Sequence, residues 1–220
     1  MSLSERFEKI KVAIPLEITL VAVSKTYSNE VIQEAYNLGQ RVFGENRVQE
    51  LTSKFETLPK DIEWHLIGHL QKNKIKYIAP FVKMIHAVDS LELLQTIEKE
   101  GQKINRKIPC LIQLHIAQEE SKFGFSFEEA RAFFEKLETY NFSFAEINGL
   151  MGMASFTENI AQVEQEFESL AQLFQEIKSK KYAHLPHFNQ LSMGMSGDYS
   201  IAIQKGSTMV RIGSALFGTR

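Results

Sequence analysis

Eight short apolar runs alternate with longer segments of helical periodicity, and this alternation constrains the fold more than any other feature of the sequence. The runs are TLVAVSK (19–25), RVFGEN (41–46), EWHLIGH (63–69), MIHAV (84–88), IPCLIQLHI (108–116), FAEINGLMGM (144–153), HFNQLSMGM (187–195) and STMVRIGSALFG (207–218). Strict alternation of strands and helices indicates parallel strands joined by helical crossovers. Eight such units close most naturally into a (β/α)₈ TIM barrel, with a doubly wound open sheet as the alternative. We therefore predict an α/β protein with a single barrel domain over residues 1–220.

Sequence patterns at the predicted helix starts support this alternation. Ser126 and Glu129 in SFEEARAFF fit a capping box, in which each side chain accepts a hydrogen bond from a backbone N–H group of the first turn. Asp89 and Glu92 in DSLE have the same spacing, which predicts a related cap with Asp89 at the start of the helix. Near the N-terminus, the segment LSERFEKIKV predicts an amphipathic helix with one apolar side.

The composition excludes several classes of protein. The chain has 220 residues, 44% hydrophobic and 24% charged, and its net charge of −2 does not favour broad contact with nucleic acid. Its only cysteine, Cys110, lies in an apolar run, which rules out an intrachain disulfide and suits a reducing cytosol. No stretch approaches the roughly 18 apolar residues of a membrane span, and the N-terminus does not resemble a secretory signal. We expect a cytoplasmic monomer that binds neither nucleic acid nor membrane.

The carboxyl ends of the predicted strands locate the candidate site. Active sites of TIM barrels lie at that end, and phosphate is often bound after strands 7 and 8. These two strands end in SMGMSGD and RIGSALFG. Glycine lets backbone N–H groups approach an anion closely, and the hydroxyls of Ser196 and Ser214 can donate hydrogen bonds. Either segment alone is typical of a tight turn, but the two together, with Gly213, predict a site for a phosphate-bearing ligand.

Two cations lie in the same predicted region. Arg211 precedes Gly213 by two residues, so both should face the same side of strand 8. A buried arginine needs a partner, which would be either Asp89 or Glu45 in a structural ion pair, or a ligand ring or acid. Lys25 ends strand 1, where it is either solvated or directed into the barrel mouth as an amine able to form a Schiff base. Carbonyl compounds that also carry phosphate include pyridoxal 5′-phosphate (PLP) and sugar phosphates.

The histidines do not predict a metal site. His65 and His69 would lie roughly 13 Å apart on an extended strand, and the glutamate of the helical zinc motif is absent. His184 and His187 are separated by a proline and lack partner cysteines. We therefore expect no bound metal.

Several long blocks, in order from residue 20 to the C-terminus, resemble a known family. They are VAVSKTY around Lys25, FGENRVQE (43–50), WHLIGHLQKNK (64–74), SKFGF (121–125), GLMGMA (149–154), LSMGMSGDY (191–199) and GSTMVRIGSALFGTR (206–220). The chain is similar to the YggS/PROSC family, the pyridoxal phosphate homeostasis proteins. This resemblance implies a barrel like the N-terminal domain of alanine racemase, with PLP as its cofactor.

The resemblance also implies roles for individual residues. Lys25 matches the lysine that holds PLP as a Schiff base, and Arg211 matches the arginine beside the pyridine nitrogen. Asn46 is expected to flank the cofactor near its ring hydroxyl. The positions expected around the phosphate are Ser196, Gly213 and Ser214.

Two functions of different classes remain open. In the first, the protein has no catalytic residue and holds PLP reversibly, buffering its supply or delivering it to apo forms of PLP-dependent enzymes. In the second, it is a PLP-dependent amino-acid racemase, which needs two bases on opposite faces of the substrate; His69 and Tyr27 are candidates without a supporting motif. A Schiff-base aldolase fits the barrel and the lysine but does not explain Arg211. We also hypothesise that Lys122, a second amine near a strand end, contacts PLP or assists its release.

Overall fold

A computed structural model describes residues 1–118, 123–183 and 185–218, which alternate between strands and helices as expected. The strands are β1 (Thr19–Val23), β2 (Val42–Glu45), β3 (Glu63–Leu66), β4 (Met84–Val88), β5 (Ile108–His115), β6 (Ala145–Met153), β7 (Gln190–Ser192) and β8 (Met209–Ile212). The helices are α1 (Leu3–Ala13), α2 (Asn29–Asn37), α3 (Val48–Thr57), α4 (Ile75–Ile78), α5 (Leu91–Lys103), α6 (Phe127–Lys136), α7 (Ile160–Lys181), α8 (Tyr199–Gln204) and α9 (Ser214–Phe217). Short 3₁₀ turns lie at Lys72–Lys74 and Leu137–Tyr140.

The strands form one closed parallel barrel in chain order, and β8 pairs with β1 to close it. Thr19 lies opposite Met209 and Val21 opposite Arg211 in this closing pair. Residues opposite one another in neighbouring strands share a face of the sheet, so Arg211 points into the barrel with Val21. The prediction of a (β/α)₈ TIM barrel is confirmed.

Two apolar layers stabilise the barrel, one inside it and one between its outer face and the helices. The inner cluster consists of Val21, Met84, Ala87, Leu111, Met151 and Met209. The outer layer contains large side chains that are fully buried, among them Phe7, Phe43, Trp64, Phe167 and Phe188. Burying each such side chain contributes on the order of 2 kcal/mol. The inner cluster fills the lower barrel and leaves the carboxyl ends of the strands to polar residues.

Helix caps follow the sequence at one predicted position and differ at another. At α6, the Glu129 N–H donates to Ser126 Oγ at 3.1 Å, and the Ser126 N–H donates to Glu129 Oε2 at 2.8 Å, which confirms the capping box. At α5 the N-cap is Ser90, whose Oγ accepts from the Leu93 N–H at 3.3 Å. The prediction of Asp89 as the cap is wrong because its carboxylate pairs with a histidine of the barrel mouth.

The first helix packs beside the last one and supports the end of β8. The apolar side of α1 is buried through Leu3, Phe7 and Ile10, as its periodicity predicts. Arg6 Nε donates to the Leu216 carbonyl at 2.7 Å, and Nη2 donates to the Phe217 carbonyl at 3.0 Å. These bonds satisfy carbonyls at the C-terminal end of α9 and hold that helix against α1. In the described ranges, no helix has both the length and the apolar character needed to cross a membrane.

Candidate functional site

A cavity of about 1030 Å³ opens at the carboxyl ends of the barrel strands. Its walls include all six residues that the sequence predicts for the site, namely Lys25, Asn46, Ser196, Arg211, Gly213 and Ser214. They come from three separate parts of the chain, the segments after β1 and β2 and the pair formed by β7 and β8. The closed barrel brings them together because parallel strands end at the same mouth.

Lys25 reaches the cavity through the two-residue periodicity of its strand. Val21 and Val23 alternate with outward-facing residues along β1, and Lys25 continues this inward series two positions later. Val21 belongs to the inner cluster, and both Val23 and Lys25 line the cavity. The two-residue periodicity of β1 therefore places Lys25 on the side that faces the mouth.

Ser196 joins the turns after β7 and β8. Its Oγ accepts a hydrogen bond from the Gly213 N–H at 3.2 Å and from the Ala215 N–H at 3.4 Å. A Cβ added to Gly197 would meet no atom within 4 Å, so the backbone beside Ser196 is open to the cavity. These two bonds tie the turns together around the Ser196 hydroxyl, which accepts in both and keeps its own proton as a donor for an anion.

Asn46 is held by a close backbone packing. A Cβ on Gly68 would lie 2.5 Å from the Asn46 carbonyl oxygen and 2.8 Å from its Cα, so only glycine fits there. Gly44 is equally enclosed, because its added Cβ would lie 2.9 Å from a methyl group of Val21. These two glycines let the end of β2 approach its neighbours and place Asn46 at the cavity.

Arg211 is 3% exposed and is fixed by three hydrogen bonds within the barrel. Its Nη1 donates to Ser192 Oγ at 2.6 Å and to the Ser192 carbonyl at 2.9 Å, and its Nη2 donates to the Gly152 carbonyl at 3.1 Å. Burial lowers the pKa of the Arg211 guanidinium to about 10, and the charge of Asp198 opposes this shift. The group therefore stays protonated at neutral pH. The prediction that Asp89 or Glu45 pairs with it is wrong, since Asp89 bonds His69 and Glu45 bonds Lys54.

A chain of buried hydrogen bonds continues from Arg211 across the barrel. His86 Nδ1 lies 3.1 Å from Ser192 Oγ, and His86 Nε2 lies 2.9 Å from His65 Nδ1. Because arginine only donates, Ser192 Oγ accepts from Arg211. If Ser192 donates its proton to His86 Nδ1, and His86 Nε2 donates to His65 Nδ1, every contact has one donor and one acceptor.

The two histidines of this chain are uncharged at neutral pH. Burial lowers the pKa of His65 to about 3, and the charge of Lys83 adds to the shift. Burial lowers the pKa of His86 well below its ordinary value, and the positive charge of Arg211 adds to the shift. The only fixed positive charge of the hydrogen-bonded chain is therefore the guanidinium of Arg211, at the end that faces the cavity.

Sequence reasoning missed Asp198, which also lines the cavity. Its Oδ1 accepts from the Met195 N–H at 2.5 Å. Burial raises the pKa of Asp198, while the Met195 N–H and the charge of Arg211 oppose the rise. The signal in the sequence was the composition of MSGD, because serine, glycine and aspartate all favour turns. The carboxylate shapes the turn that carries Ser196.

The two candidate second bases also lie at the mouth. His69 Nδ1 is 2.9 Å from Asp89 Oδ2, with about half of the histidine side chain exposed. The Tyr27 hydroxyl donates to the Gly218 carbonyl at 2.7 Å. The apolar part of the rim is formed by Phe123, Met153 and Phe156, all exposed.

The described residues hold no group of three or more histidine, cysteine, aspartate or glutamate side chains that could bind a metal ion. His65 lies inside the barrel and His69 at its mouth, so the two have different partners. Lys122 and His184 lie outside the described residues.

Comparison with known proteins identifies the family. The alanine racemase N-terminal domain family matches residues 2–220. A pyridoxal phosphate homeostasis protein of Aquifex aeolicus is 43% identical over 203 residues, which cover 91% of this chain and 86% of the relative. The chain belongs to the pyridoxal phosphate homeostasis protein family.

Solved structures agree with this family assignment. PipY of Synechococcus elongatus PCC7942 is 32% identical and covers 99% of this chain and 100% of its own, with a TM-score of 0.91 without PLP and 0.88 with PLP bound. Alanine racemase of Bartonella henselae, at 18% identity and a TM-score of 0.76, covers 99% of this chain and 58% of its own. At that identity the likeness to the racemase shows the fold alone.

Proposed function

We propose that this protein binds PLP in the cavity at the barrel mouth, as a Schiff base on Lys25, and takes part in PLP homeostasis. The observation that carries the proposal is the convergence of Lys25, Arg211 and the Ser196–Gly213 turn in one cavity. The family relationship and the PLP bound by PipY support it. We propose that residues 1–220 form a single PLP-binding domain.

The residues present fit this cofactor. The cavity volume lies at the upper end of the roughly 300–1,000 Å³ found for small-molecule sites. The Ser196 hydroxyl, the Ser214 hydroxyl and the Gly213 N–H would hold the phosphate, while Lys25 supplies the amine. Asn46 would flank the ring hydroxyl, and Arg211 the ring nitrogen. The open backbone at Gly197 leaves space for an anion beside these donors.

Arg211 explains why binding rather than catalysis is proposed. Bound PLP supplies an aldehyde that reacts with amines and, when its ring nitrogen is protonated, a strong electron sink. Arg211 remains charged at neutral pH and only donates hydrogen bonds, so it would keep a proton off an adjacent ring nitrogen. The His65–His86 pair behind Arg211 is neutral, so it would not supply a proton to the ring nitrogen either. The site would retain the cofactor without strong activation of substrates.

We propose that the protein buffers free PLP and delivers it to apo forms of PLP-dependent enzymes, as a cytoplasmic monomer. The exposed apolar rim of the mouth supports delivery, because it lies beside the cavity from which PLP would leave. The buried single thiol of Cys110 suits a reducing compartment.

Absorbance spectroscopy tests the binding proposal. Wild type, Lys25→Ala and Lys72→Ala are titrated with PLP and scanned before and after borohydride. Lys72 pairs with Glu92 at the surface and serves as the matched lysine control. We expect a visible band that borohydride abolishes in wild type and Lys72→Ala, and none in Lys25→Ala. A band of equal strength in Lys25→Ala would overturn the assignment.

Delivery is tested by transfer to an acceptor. Loaded protein is mixed with an apo PLP-dependent enzyme, with and without a phosphatase that destroys free PLP. Reactivation of the acceptor despite the phosphatase would support direct delivery, whereas complete loss of reactivation would leave buffering through free PLP.

A racemase is the second candidate, and the His69–Asp89 pair at the mouth favours it. A histidine held by a carboxylate can act as a general base. The test is exchange of the substrate α-proton in D₂O for a set of L-amino acids with loaded protein. We expect no exchange above that of PLP alone. Exchange that disappears in both Lys25→Ala and His69→Gln would establish the racemase instead.

A further inference from the structure

The backbone turns sharply just after the Schiff-base lysine. Thr26 has a φ of +67°, in the left-handed region, although it is β-branched. Such a conformation is strongly disfavoured for threonine and persists only where surrounding contacts enforce it. The contacts that enforce it therefore also determine where Lys25 points.

The side chain of Glu50 on α3 makes this enforcing contact. Its Oε1 accepts the Thr26 N–H at 2.5 Å and also accepts from Lys54 Nζ at 2.6 Å. The lysine is one helical turn further along α3, so the two groups form an i,i+4 ion pair. An ionised acceptor makes a stronger hydrogen bond to a backbone amide than a neutral one does.

Ser24, the residue before Lys25, forms hydrogen bonds with the same group of charged side chains. Lys54 Nζ donates to the Ser24 carbonyl at 2.9 Å and to Glu45 Oε1 at 2.8 Å. The Ser24 hydroxyl donates to the same Glu45 oxygen at 2.6 Å. Ser24 and Thr26, the two neighbours of Lys25, are thus both held by one cluster formed by Glu45, Glu50 and Lys54.

Two members of this cluster, Glu45 and Lys54, are shielded from water, whereas the Glu50 side chain is 24% exposed. The cluster also adjoins a second site residue. The Glu45 side chain is 0% exposed and the Lys54 side chain 6%, so their charges interact with little screening. Burial raises the pKa of Glu45, an effect that Lys54 and Ser24 oppose. Glu45 is followed directly by Asn46, so the cluster links the ends of β1 and β2 at the cavity.

We infer that the Glu45–Glu50–Lys54 cluster positions Lys25 for PLP: it holds Thr26 in the left-handed turn that directs the Lys25 amine into the cavity. Glu50 is a positioning residue, since it acts through the backbone and not on the cofactor. This inference rests on the proposed function and deepens it.

The test compares PLP affinity among four variants. Glu50→Ala removes the acceptor, Glu50→Gln keeps an oxygen for the Thr26 N–H, and Glu50→Ala with Thr26→Gly removes the strain as well. Glu176→Ala is the matched control, because Glu176 forms an i,i+4 pair with Lys180 on α7. We expect Glu50→Ala to weaken PLP binding about 10- to 100-fold relative to the control. Glu50→Gln should lose less, and glycine at position 26 should recover part of the affinity.

Amide hydrogen exchange at Thr26, measured without PLP, separates this inference from the proposed function. Glu50→Ala should speed exchange at this amide while Glu176→Ala does not. The inference is overturned if Glu50→Ala binds PLP as tightly as the control, if Thr26→Gly recovers nothing, or if Thr26 exchange is unchanged. Absence of PLP binding in wild type would instead overturn the proposed function. In that case the Thr26 amide still tests the inference, because unchanged exchange in Glu50→Ala would show that Glu50 does not hold the turn.

Discussion

Acid should destabilise this protein through the histidine pair inside the barrel. The folded state keeps His65 and His86 neutral, because burial lowers the pKa of His65 to about 3 and that of His86 well below its ordinary value. Unfolded histidine has a pKa of about 6.5, so below that pH the unfolded state binds protons that the folded state excludes. The free energy of unfolding therefore falls as the pH falls through 6.5. Above this pH the histidines cost no stability.

The magnitude follows from the two shifts. At pH 5, about 1.5 units below the unfolded pKa, each histidine costs about 2 kcal/mol, or about 4 kcal/mol for the pair. The carboxyls of Glu45 and Asp198 act in the opposite direction, since burial raises the pKa of each. The contribution of the histidines must therefore be measured as a difference between variants and not from wild type alone.

Urea unfolding at pH 7, 6 and 5 supplies this difference. The double variant His65→Leu/His86→Leu replaces both partners of the His65–His86 hydrogen bond, although the Ser192 hydroxyl loses its acceptor. That loss lowers stability at all three pH values, so it does not enter the difference between pH 7 and pH 5. We expect its loss of stability between pH 7 and pH 5 to be smaller than that of wild type by about 4 kcal/mol. The variant His187→Gln, at a partly exposed histidine, is measured alongside as a control for replacing a histidine. Equal pH dependence in wild type and the double variant would refute the reasoning.

Four further substitutions have distinct expected outcomes. Ser196→Ala should weaken PLP binding about tenfold but leave binding of pyridoxal, which lacks the phosphate, unchanged in the same absorbance titration. Arg211→Lys should lower the free energy of unfolding by about 2 kcal/mol in urea, because an ammonium cannot reproduce the fork to Ser192 and Gly152. Gly149→Ala should prevent folding, because its Cβ would lie 1.7 Å from the Gln190 carbonyl oxygen at a residue with a φ of +152°. Gly197→Ala should fold with wild-type stability, because its Cβ would meet no atom within 4 Å. Circular dichroism distinguishes the folded variant from the unfolded one.

The barrel itself was predictable from the sequence because apolar runs and helical periodicity record which faces are buried. The predicted runs contain all eight strands, although β7 is only Gln190–Ser192 within the predicted 187–195. Of the excess residues, 187–189 precede the strand, and 193–195 lead into the turn that carries Ser196, where Gly194 has a φ of +93°. The same argument brought the six predicted site residues to one mouth, because the position of a strand end depends on topology and not on register.

The partners of the charged groups were not predictable in the same way. His65 meets His86 only because the register between β3 and β4 places both inside the barrel. For Arg211 the sequence left open an ion pair with Asp89 or Glu45 or a contact with a ligand, whereas oxygens of Ser192 on β7 and Gly152 on β6 accept its hydrogen bonds. The left-handed conformation of Thr26 could not be predicted either, because β-branched residues rarely adopt it. Such contacts depend on the three-dimensional packing of residues distant in sequence.

The most direct measurement is the identification of the lysine that carries PLP. The protein is loaded with PLP, reduced with borohydride, digested and analysed by peptide mass spectrometry. The account predicts one stoichiometric adduct, on Lys25, in wild type and in Lys72→Ala. An adduct on another lysine, or a low level spread over several surface lysines with Lys25 unmodified, would contradict it.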